Sequence, residues 1–266
     1  CRLTFKLPMF TTVSTIVKDN LPHRIEGDRW FFCEVPKDVL ACENASMDKT
    51  KWSNWRLANF DYLKDHLSDI SNDAIVIDLG TGPARFRDLT NRFNNYIGVD
   101  FYPFELVSVV TDLTKPLPFK DNCCDVILIT NVLEHLPTPH SFIEECYRVL
   151  KTGGILIGTV PFLCKIHQSP YDFLRYTNFM LEYLFKTYGF KKFFVEPLGT
   201  SYDLYLTISR RFFARATHMT QGYWHLFLVN VERKIIFFSL RLLKPVLSKV
   251  KSTPKLTEGY GFIAYK

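Results

Sequence analysis

Three aspartates stand at the ends of three short β-branched runs, where they could bind a positively charged nucleoside. Asp78 lies in "AIVIDLG", Asp100 closes "YIGVD" and Asp112 closes "LVSVVTD". A carboxylate repels a pyrophosphate but attracts an ammonium or a sulfonium group. It can also accept the two hydroxyls of a ribose or meet an adenine amino group. The three positions therefore predict a site for a cationic nucleoside.

The loop after Asp78, in the segment "DLGTGPAR", contains two glycines. Gly80 and Gly82 allow the backbone to turn tightly and to approach a ligand closely. A dinucleotide-binding loop has the pattern G-x-G-x-x-G, but Arg85 stands at its third glycine position. Asp78 and Arg85 together disfavour a nicotinamide oxidoreductase.

A second group of reactive side chains lies in "HQSPYDFLRYT", which is too polar and too aromatic for a core segment. His167 could take a proton from an acceptor, while Asp172 could orient His167 or pair with Arg175. Arg175 could also fork onto a carboxylate or phosphate of the acceptor. Flat walls for a sugar or ring are expected from Tyr171 and Tyr176. The alternative is that these polar side chains are buried and serve only to join this loop to the next helix.

A second histidine, His135 in "NVLEHL", follows the apolar run "DVILIT". We favour a structural role for it, in which it hydrogen-bonds the loop, but it is the other candidate for the base. The chain contains no H-E-x-x-H motif, no C-x-x-C pair and no carboxylate cluster that would indicate a catalytic metal. A catalytic metal is therefore not expected.

These side chains need a scaffold in which apolar strands alternate with helices. Helices are predicted at 52–67, at 141–150 with a glycine C-cap after Lys151, and after an N-cap at Thr177. The expected strands are 74–80, 96–100, 106–112, 125–130, 154–160, 190–197 and 259–265. Strands that are apolar on both faces indicate a parallel sheet covered by helices on both sides. Ligands of such sheets bind beyond the carboxyl ends of the strands.

The chain is interpreted as an irregular N-terminal extension at 1–50 followed by one α/β domain at 51–266. A basic, helical insertion at 202–255 precedes the last strand. Between 205 and 255 there are ten Lys and Arg residues and one acid, Glu232, a net charge of +9. The whole chain carries +6, so the rest of it carries −3. The positive charge therefore belongs to the insertion.

The insertion contains "YWHLFLVNVERKIIFFSLRLLK" at 223–244, which as a helix carries one narrow polar stripe. The stripe consists of Asn230, Arg233, Lys234, Arg241 and Lys244. Such a helix either packs deeply in protein, here as a lid over the site, or lies in a membrane interface. Nucleic acid is a disfavoured partner, because the stripe is narrow and its surroundings are aliphatic.

Composition is that of a globular protein, with 47% hydrophobic and 23% charged residues. The seven cysteines form no C-x-x-C pair and are expected to be reduced thiols. Neither a signal peptide nor a membrane-spanning run is apparent. We therefore expect a cytoplasmic protein, with contact at the inner face of the membrane as a possibility that the insertion raises.

The segments "VIDLGTGPARF", "VDFYP", "TDLTKPLPFKDNCCDVILITNVLEHLPTPHSFIEECYRVLKTGGILIGTVPF" and the closing "YGF" resemble the class I S-adenosylmethionine-dependent methyltransferases, in their type 11-like branch. The resemblance covers about 52–200 and 259–265. It implies a Rossmann-like three-layer sandwich with a mostly parallel seven-stranded sheet and an antiparallel last strand. Ala84 departs from it by replacing the family's usual third glycine.

The resemblance also assigns cofactor contacts. It places Asp78 near the methionine ammonium and Asp100 on the ribose diol. Asp112, with the backbone of Leu113, lies at the adenine, although a simple turn is the alternative role of Asp112. Arg56 is a weaker candidate for the methionine carboxylate.

The remaining cofactor contacts concern the floor of the site and the reacting group. Gly80 and Gly82 form the floor, and Asn131 borders the methyl group. The implied activity is S-adenosylmethionine-dependent methyl transfer to a small-molecule, saccharide or lipid-carried acceptor, with O-methylation expected. The alternative is a catalytically silent S-adenosylmethionine-binding subunit that docks on a partner or a membrane.

Overall fold

The computed structural model of the protein describes residues 10–21, 23–35, 48–219 and 223–266. Cys1, Cys42 and the rest of 1–9, 22 and 36–47, which are parts of the irregular segment expected at 1–50, lie outside these ranges. The helices are α1 Phe10–Ile16, α2 Asn54–Leu67, α3 Arg87–Thr90, α4 Pro139–Val149, α5 Asn178–Thr187, α6 Ser201–Met219 and α7 Tyr223–Leu247. The strands are β1 Arg24–Glu26, β2 Arg29–Phe31, β3 Ile75–Leu79, β4 Asn95–Asp100, β5 Val107–Val110, β6 Cys124–Thr130, β7 Leu150–Pro161, β8 Lys192–Pro197 and β9 Gly259–Tyr265.

One sheet runs through the described part of the chain, with the strand order β1-β2-β5-β4-β3-β6-β7-β9-β8. The strands from β2 to β7 in this order are parallel, and β9 is antiparallel to both of its neighbours. The Rossmann-like α/β fold with an antiparallel last strand is thereby confirmed. All seven expected strands are present, with their ends shifted by a few residues.

The sheet has nine strands instead of the predicted seven, because the N-terminal extension adds a hairpin to its edge. β1 and β2 pair in antiparallel fashion, and β2 continues the sheet beside β5. Trp30 and Phe31 of β2 are buried. Strands of three residues are too short to show an alternating pattern, so the hairpin could not be recognised in the sequence.

Two apolar layers hold the helices against the sheet. On one face, Tyr62, Leu63 and Leu67 of α2 pack on β3, β6 and neighbouring strands. On the other face, α4 and α5 cover the sheet with buried side chains such as Phe142 and Phe185. Both faces of the parallel strands are therefore dry, which is why their sequences are continuously apolar.

The glycine pair after Lys151 does not cap α4, in contrast to the prediction. The helix ends at Val149, its C-cap residue Leu150 is extended, and β7 begins at once. Gly153 and Gly154 lie within β7, where Gly153 has a φ of +81°. Glycine is needed at 154 because a Cβ there would lie 2.8 Å from the carbonyl oxygen of Lys151. The N-cap at Thr177 is confirmed, since its side chain accepts a hydrogen bond from the Met180 amide at 3.3 Å.

The insertion forms two helices, α6 and α7, that pack on each other. α6 buries Leu204, Leu206 and Phe213 and lies next to the loop after β7, where Arg211 donates to the Leu163 carbonyl at 3.2 Å. α7 buries Leu240 but leaves most of its apolar side chains exposed. In the described ranges, no helix combines the length and the apolar character that crossing a membrane requires.

Candidate active site

The turn between β3 and the next helix is built around Gly80, Thr81 and Gly82. The amides of Gly80 and Thr81 both donate to the Val99 carbonyl, at 2.8 and 3.0 Å. Gly80 has a φ of +78°, and a Cβ on it would lie 2.4 Å from Cγ2 of Val132. Gly82 has a φ of +57° and open space around its missing Cβ. The first glycine therefore serves packing, and the second leaves room for a ligand.

Asp78 lies at the base of this turn. Its Oδ2 accepts a hydrogen bond from the Tyr96 hydroxyl at 2.6 Å. Burial raises the pKa of Asp78 to about 6, an effect that the Tyr96 hydrogen bond reduces and the charge of Asp100 increases. A carboxylate held in this way gains from a bound cation, which would restore its ionised form.

Asp100 ties the glycine turn to the end of β4. Its Oδ2 accepts from the Gly82 amide at 2.8 Å, and its Oδ1 accepts from the Tyr102 amide at 3.0 Å. Burial raises the pKa of Asp100, and these amides partly offset that effect. Each carboxylate oxygen can accept more than one hydrogen bond, so Asp100 can hold the turn and still receive ligand hydroxyls.

Asp112 makes the contacts of a turn-forming residue. Its Oδ1 accepts from the amide and the hydroxyl of Thr114, at 2.9 and 2.7 Å. Leu113 is partly buried against the main core. This geometry agrees with the alternative role of Asp112 as a turn former, and its contact with an adenine stays a prediction.

Asn131 follows β6 in the left-handed region, with a φ of +54°. Its amide donates to the Thr159 carbonyl at 2.9 Å, and its Oδ1 accepts from Nε1 of Trp55 at 3.0 Å. Trp55 also covers Gly259 of the last strand so closely that a Cβ there would lie 2.3 Å from its ring. Asn131 thus joins the end of β6 to helix α2, a contact that the sequence did not indicate.

Two arginines without acidic partners approach this region from α2 and from the glycine turn. The described residues provide no ion pair for Arg56 or Arg85, and Nε of Arg85 is buried without a hydrogen bond. Burial and the charge of Arg85 lower the pKa of Arg56. Two cations that repel each other in a partly buried position suit an anionic ligand group. Arg85 was not assigned this role from the sequence.

The segment "HQSPYDFLRYT" folds back onto the residues that follow β6. The amides of Phe173 and Leu174 donate to the Glu134 carbonyl, at 2.8 and 3.2 Å. Its position at the carboxyl edge of the sheet agrees with the prediction. Within it, Arg175 makes a two-pronged ion pair with Asp172, at 2.5 and 2.8 Å. Asp172 also accepts from the His167 amide at 2.8 Å.

Asp172 therefore both orients His167 and pairs with Arg175, the two roles considered for it. Arg175 is held in this ion pair, which agrees with the alternative in which the segment makes buried polar contacts instead of binding the acceptor. Tyr176 also differs from the prediction that it offers a flat wall and a hydroxyl to the acceptor. Its side chain is 2% exposed, and its hydroxyl donates to the Leu133 carbonyl at 2.9 Å. Tyr171 is 52% exposed and remains available to an acceptor.

His135, His167 and Glu134 form a compact cluster beside this loop. The two imidazole rings lie 4.9 Å apart, and Nε2 of each ring lies 3.8 Å from Oε1 of Glu134. Burial raises the pKa of Glu134 to about 8, and its own backbone amide and the charge of Arg175 offset only part of that effect. Burial also lowers the pKa of His135. Glu134 was not predicted as a site residue, because its complete burial is visible only in the fold.

One of the cavities lined by described residues adjoins the site. A cavity of 110 Å³ is lined by Trp55, Leu163, Arg211 and their neighbours, between α2, α6 and the end of β7. A cavity of 400 Å³ includes Tyr265, which pairs with the amino-terminal part of β7. The second cavity lies between α2, β8 and β9, and none of its lining residues belongs to the glycine turn.

Residues 77–158 match a family model described as a methyltransferase domain. An uncharacterized protein of Methanocaldococcus jannaschii is 36% identical over 104 residues, which are 35% of this chain and 49% of that protein. An uncharacterized methyltransferase of Mycobacterium sp. (strain KMS) is 35% identical over 92 residues, 31% of this chain and 36% of the relative. The chain thus matches half or less of the length of these two relatives.

A solved structure with a similar fold is the crystal structure of a SAM-dependent methyltransferase from Archaeoglobus fulgidus. It shares 18% sequence identity, and the superposition has a TM-score of 0.51. The alignment covers 82% of this chain and 97% of that chain. This likeness concerns the fold.

Proposed function

Because this chain carries a class I S-adenosylmethionine-dependent methyltransferase domain, we propose that it methylates a small-molecule or lipid-carried acceptor, at an oxygen atom. The methyltransferase domain and its cofactor, S-adenosylmethionine, are the premise. The acceptor, the atom methylated and the residues below are the proposal.

The observation that carries the proposal is the pairing of the glycine turn with Asp100. The Gly82 amide donates to Oδ2 of Asp100 at 2.8 Å, so the carboxylate stands directly beside the open space at Gly82. We assign Asp100 to the ribose hydroxyls, Asp78 to the methionine ammonium, and Arg56 with Arg85 to the methionine carboxylate. The residue types match the charges of an amino-acid sulfonium nucleoside.

S-adenosylmethionine supplies a methyl group on a positively charged sulfur, whose departure as a neutral thioether needs no acid. The chain must therefore align the acceptor with that methyl group, a contribution of about 7–11 kcal/mol in well-oriented systems. It must also accept the hydroxyl proton of the acceptor. We assign this task to the cluster of Glu134, His135 and His167, with His167 as the favoured base.

A lipid-carried acceptor is supported by the exposed surface of α7. Phe238 and Leu242 are 63% and 64% exposed, and Arg233 and Arg241 of the same helix are exposed as well. Apolar side chains flanked by basic ones suit the boundary between acyl chains and anionic headgroups. A lid that packs its apolar face on the domain would bury these residues, so we favour contact at a membrane surface.

The proposed activity is tested by a methyl-release assay against nucleotide sugars, glycolipids and quinones. The expected result is turnover with at least one hydroxyl-bearing acceptor. In His167→Ala, turnover should fall by about two to four orders of magnitude while cofactor affinity is kept, with partial rescue at high pH. His140→Ala, which changes an exposed histidine, is the control. Cofactor binding without turnover on any acceptor would favour the silent subunit.

A further inference from the structure

The cluster of Glu134, His135 and His167 has a geometry that general base catalysis does not require. One ligand atom from each residue lies within 4.8 Å of the other two. Each Nε2 lies 3.8 Å from Oε1 of Glu134, which is too long for a hydrogen bond. Two atoms bound to one ion at about 2.1 Å each are separated by at most about 4.2 Å. The two distances to Glu134 therefore suit a shared ion, and the two histidine ligand atoms, within 4.8 Å of each other, would need to approach to about 4.2 Å or less when an ion is bound.

Both histidines direct an unprotonated nitrogen towards Glu134. Nδ1 of His135 lies 2.5 Å from the Tyr171 carbonyl, which can only accept a hydrogen bond, so this nitrogen carries the proton. Nδ1 of His167 lies 3.2 Å from the Lys165 carbonyl and 3.2 Å from Oδ2 of Asp172. Its proton is held in the same way. Metal-binding histidines are typically oriented by a carbonyl or a carboxylate on their other nitrogen.

Glu134 supplies the independent observation. Its side chain is 0% exposed, and in the described part of the chain no other residue donates a hydrogen bond to either carboxylate oxygen. Among the described hydrogen-bond donors, only the backbone amide of Glu134 itself lies close enough to lower the pKa of this carboxyl group. A buried carboxylate in this state is costly unless a charge or a donor compensates it. In neutral imidazoles whose Nδ1 atoms carry the protons, the two facing Nε2 atoms have lone pairs and cannot donate to Glu134. A cation between them would satisfy all three groups.

We propose that Glu134, His135 and His167 bind one divalent transition-metal ion, with Asp172 as the positioning residue of His167. Two imidazoles and one carboxylate suit zinc and the neighbouring first-row metals, whereas calcium and magnesium prefer sites built from oxygen ligands. Three protein ligands leave a position open for a further oxygen ligand. The prediction of no metal site relied on sequence motifs, and these ligands come from two separate segments.

The role of the ion rests on the proposed function, whereas its binding does not. An acceptor hydroxyl on the open position would acquire a lower pKa and release its proton to solvent. Its oxygen would then form a bond to the methyl carbon, while the carbon–sulfur bond breaks and its electron pair stays on sulfur. In the metal-loaded protein, Nε2 of His167 binds the ion, so His167 does not have to act as the base.

Metal binding is measured by calorimetry on the whole chain after treatment with a chelator, with zinc and with cobalt as the probes. We expect one ion per chain in the native sequence. Affinity should fall at least a hundredfold in Glu134→Gln and in His167→Ala, and about 10- to 100-fold in Asp172→Asn. His140→Ala is the matched control and should bind as the native chain does. Circular dichroism verifies that each variant is folded.

Absence of binding in the native chain would overturn the proposal, as would equal affinity in the folded Glu134→Gln and His167→Ala variants. Methyl release is followed in the same samples. Binding without turnover would uphold the metal site and contradict the proposed activity. Turnover that is undiminished in the chelated protein would uphold the activity and remove the ion from it.

Discussion

If Asp78 contacts the methionine ammonium as proposed, it should couple cofactor affinity to pH, because burial raises its pKa to about 6 from an ordinary value of 3.8. Only the ionised form attracts the methionine ammonium, so we expect the affinity for S-adenosylhomocysteine to fall as the pH decreases through about 6. Asp78→Asn should bind more weakly at neutral pH and show a flatter pH profile. Calorimetry at several pH values measures both.

Stability without ligand should change in the opposite direction. A raised pKa in the folded state means that the neutral form of Asp78 is favoured by folding. Its contribution to stability is present below about pH 4 and is lost as the pH rises through about 6. In Asp78→Asn this loss should be absent from urea unfolding curves. If the unfolding free energies of the native and variant chains depend on pH in the same way, Asp78 does not contribute to this pH dependence.

Arg56 and Arg85 carry the prediction for the methionine carboxylate. Arg56→Ala should lower the affinity for S-adenosylhomocysteine by about 1.5–3 kcal/mol, the range for a charged hydrogen bond. Affinity for methylthioadenosine, which lacks the amino-acid group, should not change. Lys64→Ala, on the exposed side of the same helix, is the control. An equal loss for both ligands would indicate a general effect on the site.

For individual residues, the sequence predicted which residue types the site contains better than it predicted their burial and their contacts with other residues. The carboxylates at strand ends could be found because strand ends are visible in apolar patterns. The ion pair between Asp172 and Arg175 was one of the predicted alternatives. The burial of Tyr176, however, depends on how the loop folds onto the residues that follow β6. Glu134 was missed for the same reason, since its charge suggests a surface position until the loop covers it.

Among the elements, the turn after β3 depends on its first glycine. Gly80→Ala places a Cβ 2.4 Å from Val132 and in the left-handed region, which should cost about 2–4 kcal/mol of unfolding free energy. Gly82→Ala should lower the unfolding free energy by only about 1 kcal/mol, the cost of placing alanine in the left-handed region, since no atom lies within 4 Å of the added Cβ. Urea unfolding compares the two. Equal losses would show that Val132 does not constrain the turn.

The parallel strands were predictable because both of their faces are buried, which makes them continuously apolar. The hairpin of β1 and β2 escaped prediction because its strands are too short to form a pattern. The glycines at 153 and 154 were misassigned, because a glycine pair after a helix also fits a strand that starts immediately. Local signals therefore located the elements but not all of their boundaries.

For the molecule as a whole, charge and exposed apolar surface coincide on α7. If this helix lies at a membrane, the chain should co-sediment with anionic vesicles at low salt and be released as salt rises, because each basic residue contributes about 1 kcal/mol near the surface. Arg233→Glu/Arg241→Glu should reduce binding at least tenfold. Lys64→Glu/Lys186→Glu, with the same change in net charge elsewhere, should not. Absence of binding at low salt would return α7 to the role of a lid or a protein contact.

The central claim is that the glycine turn and Asp100 form an S-adenosylmethionine site in the whole chain. Titration calorimetry with S-adenosylhomocysteine, and with NAD as the comparison, tests it most directly. We predict one molecule of S-adenosylhomocysteine bound per chain, no binding of NAD, and a loss of about 1.5–3 kcal/mol in a folded Asp100→Ala variant. Binding of NAD in place of S-adenosylhomocysteine, or unchanged affinity in Asp100→Ala, would contradict the account.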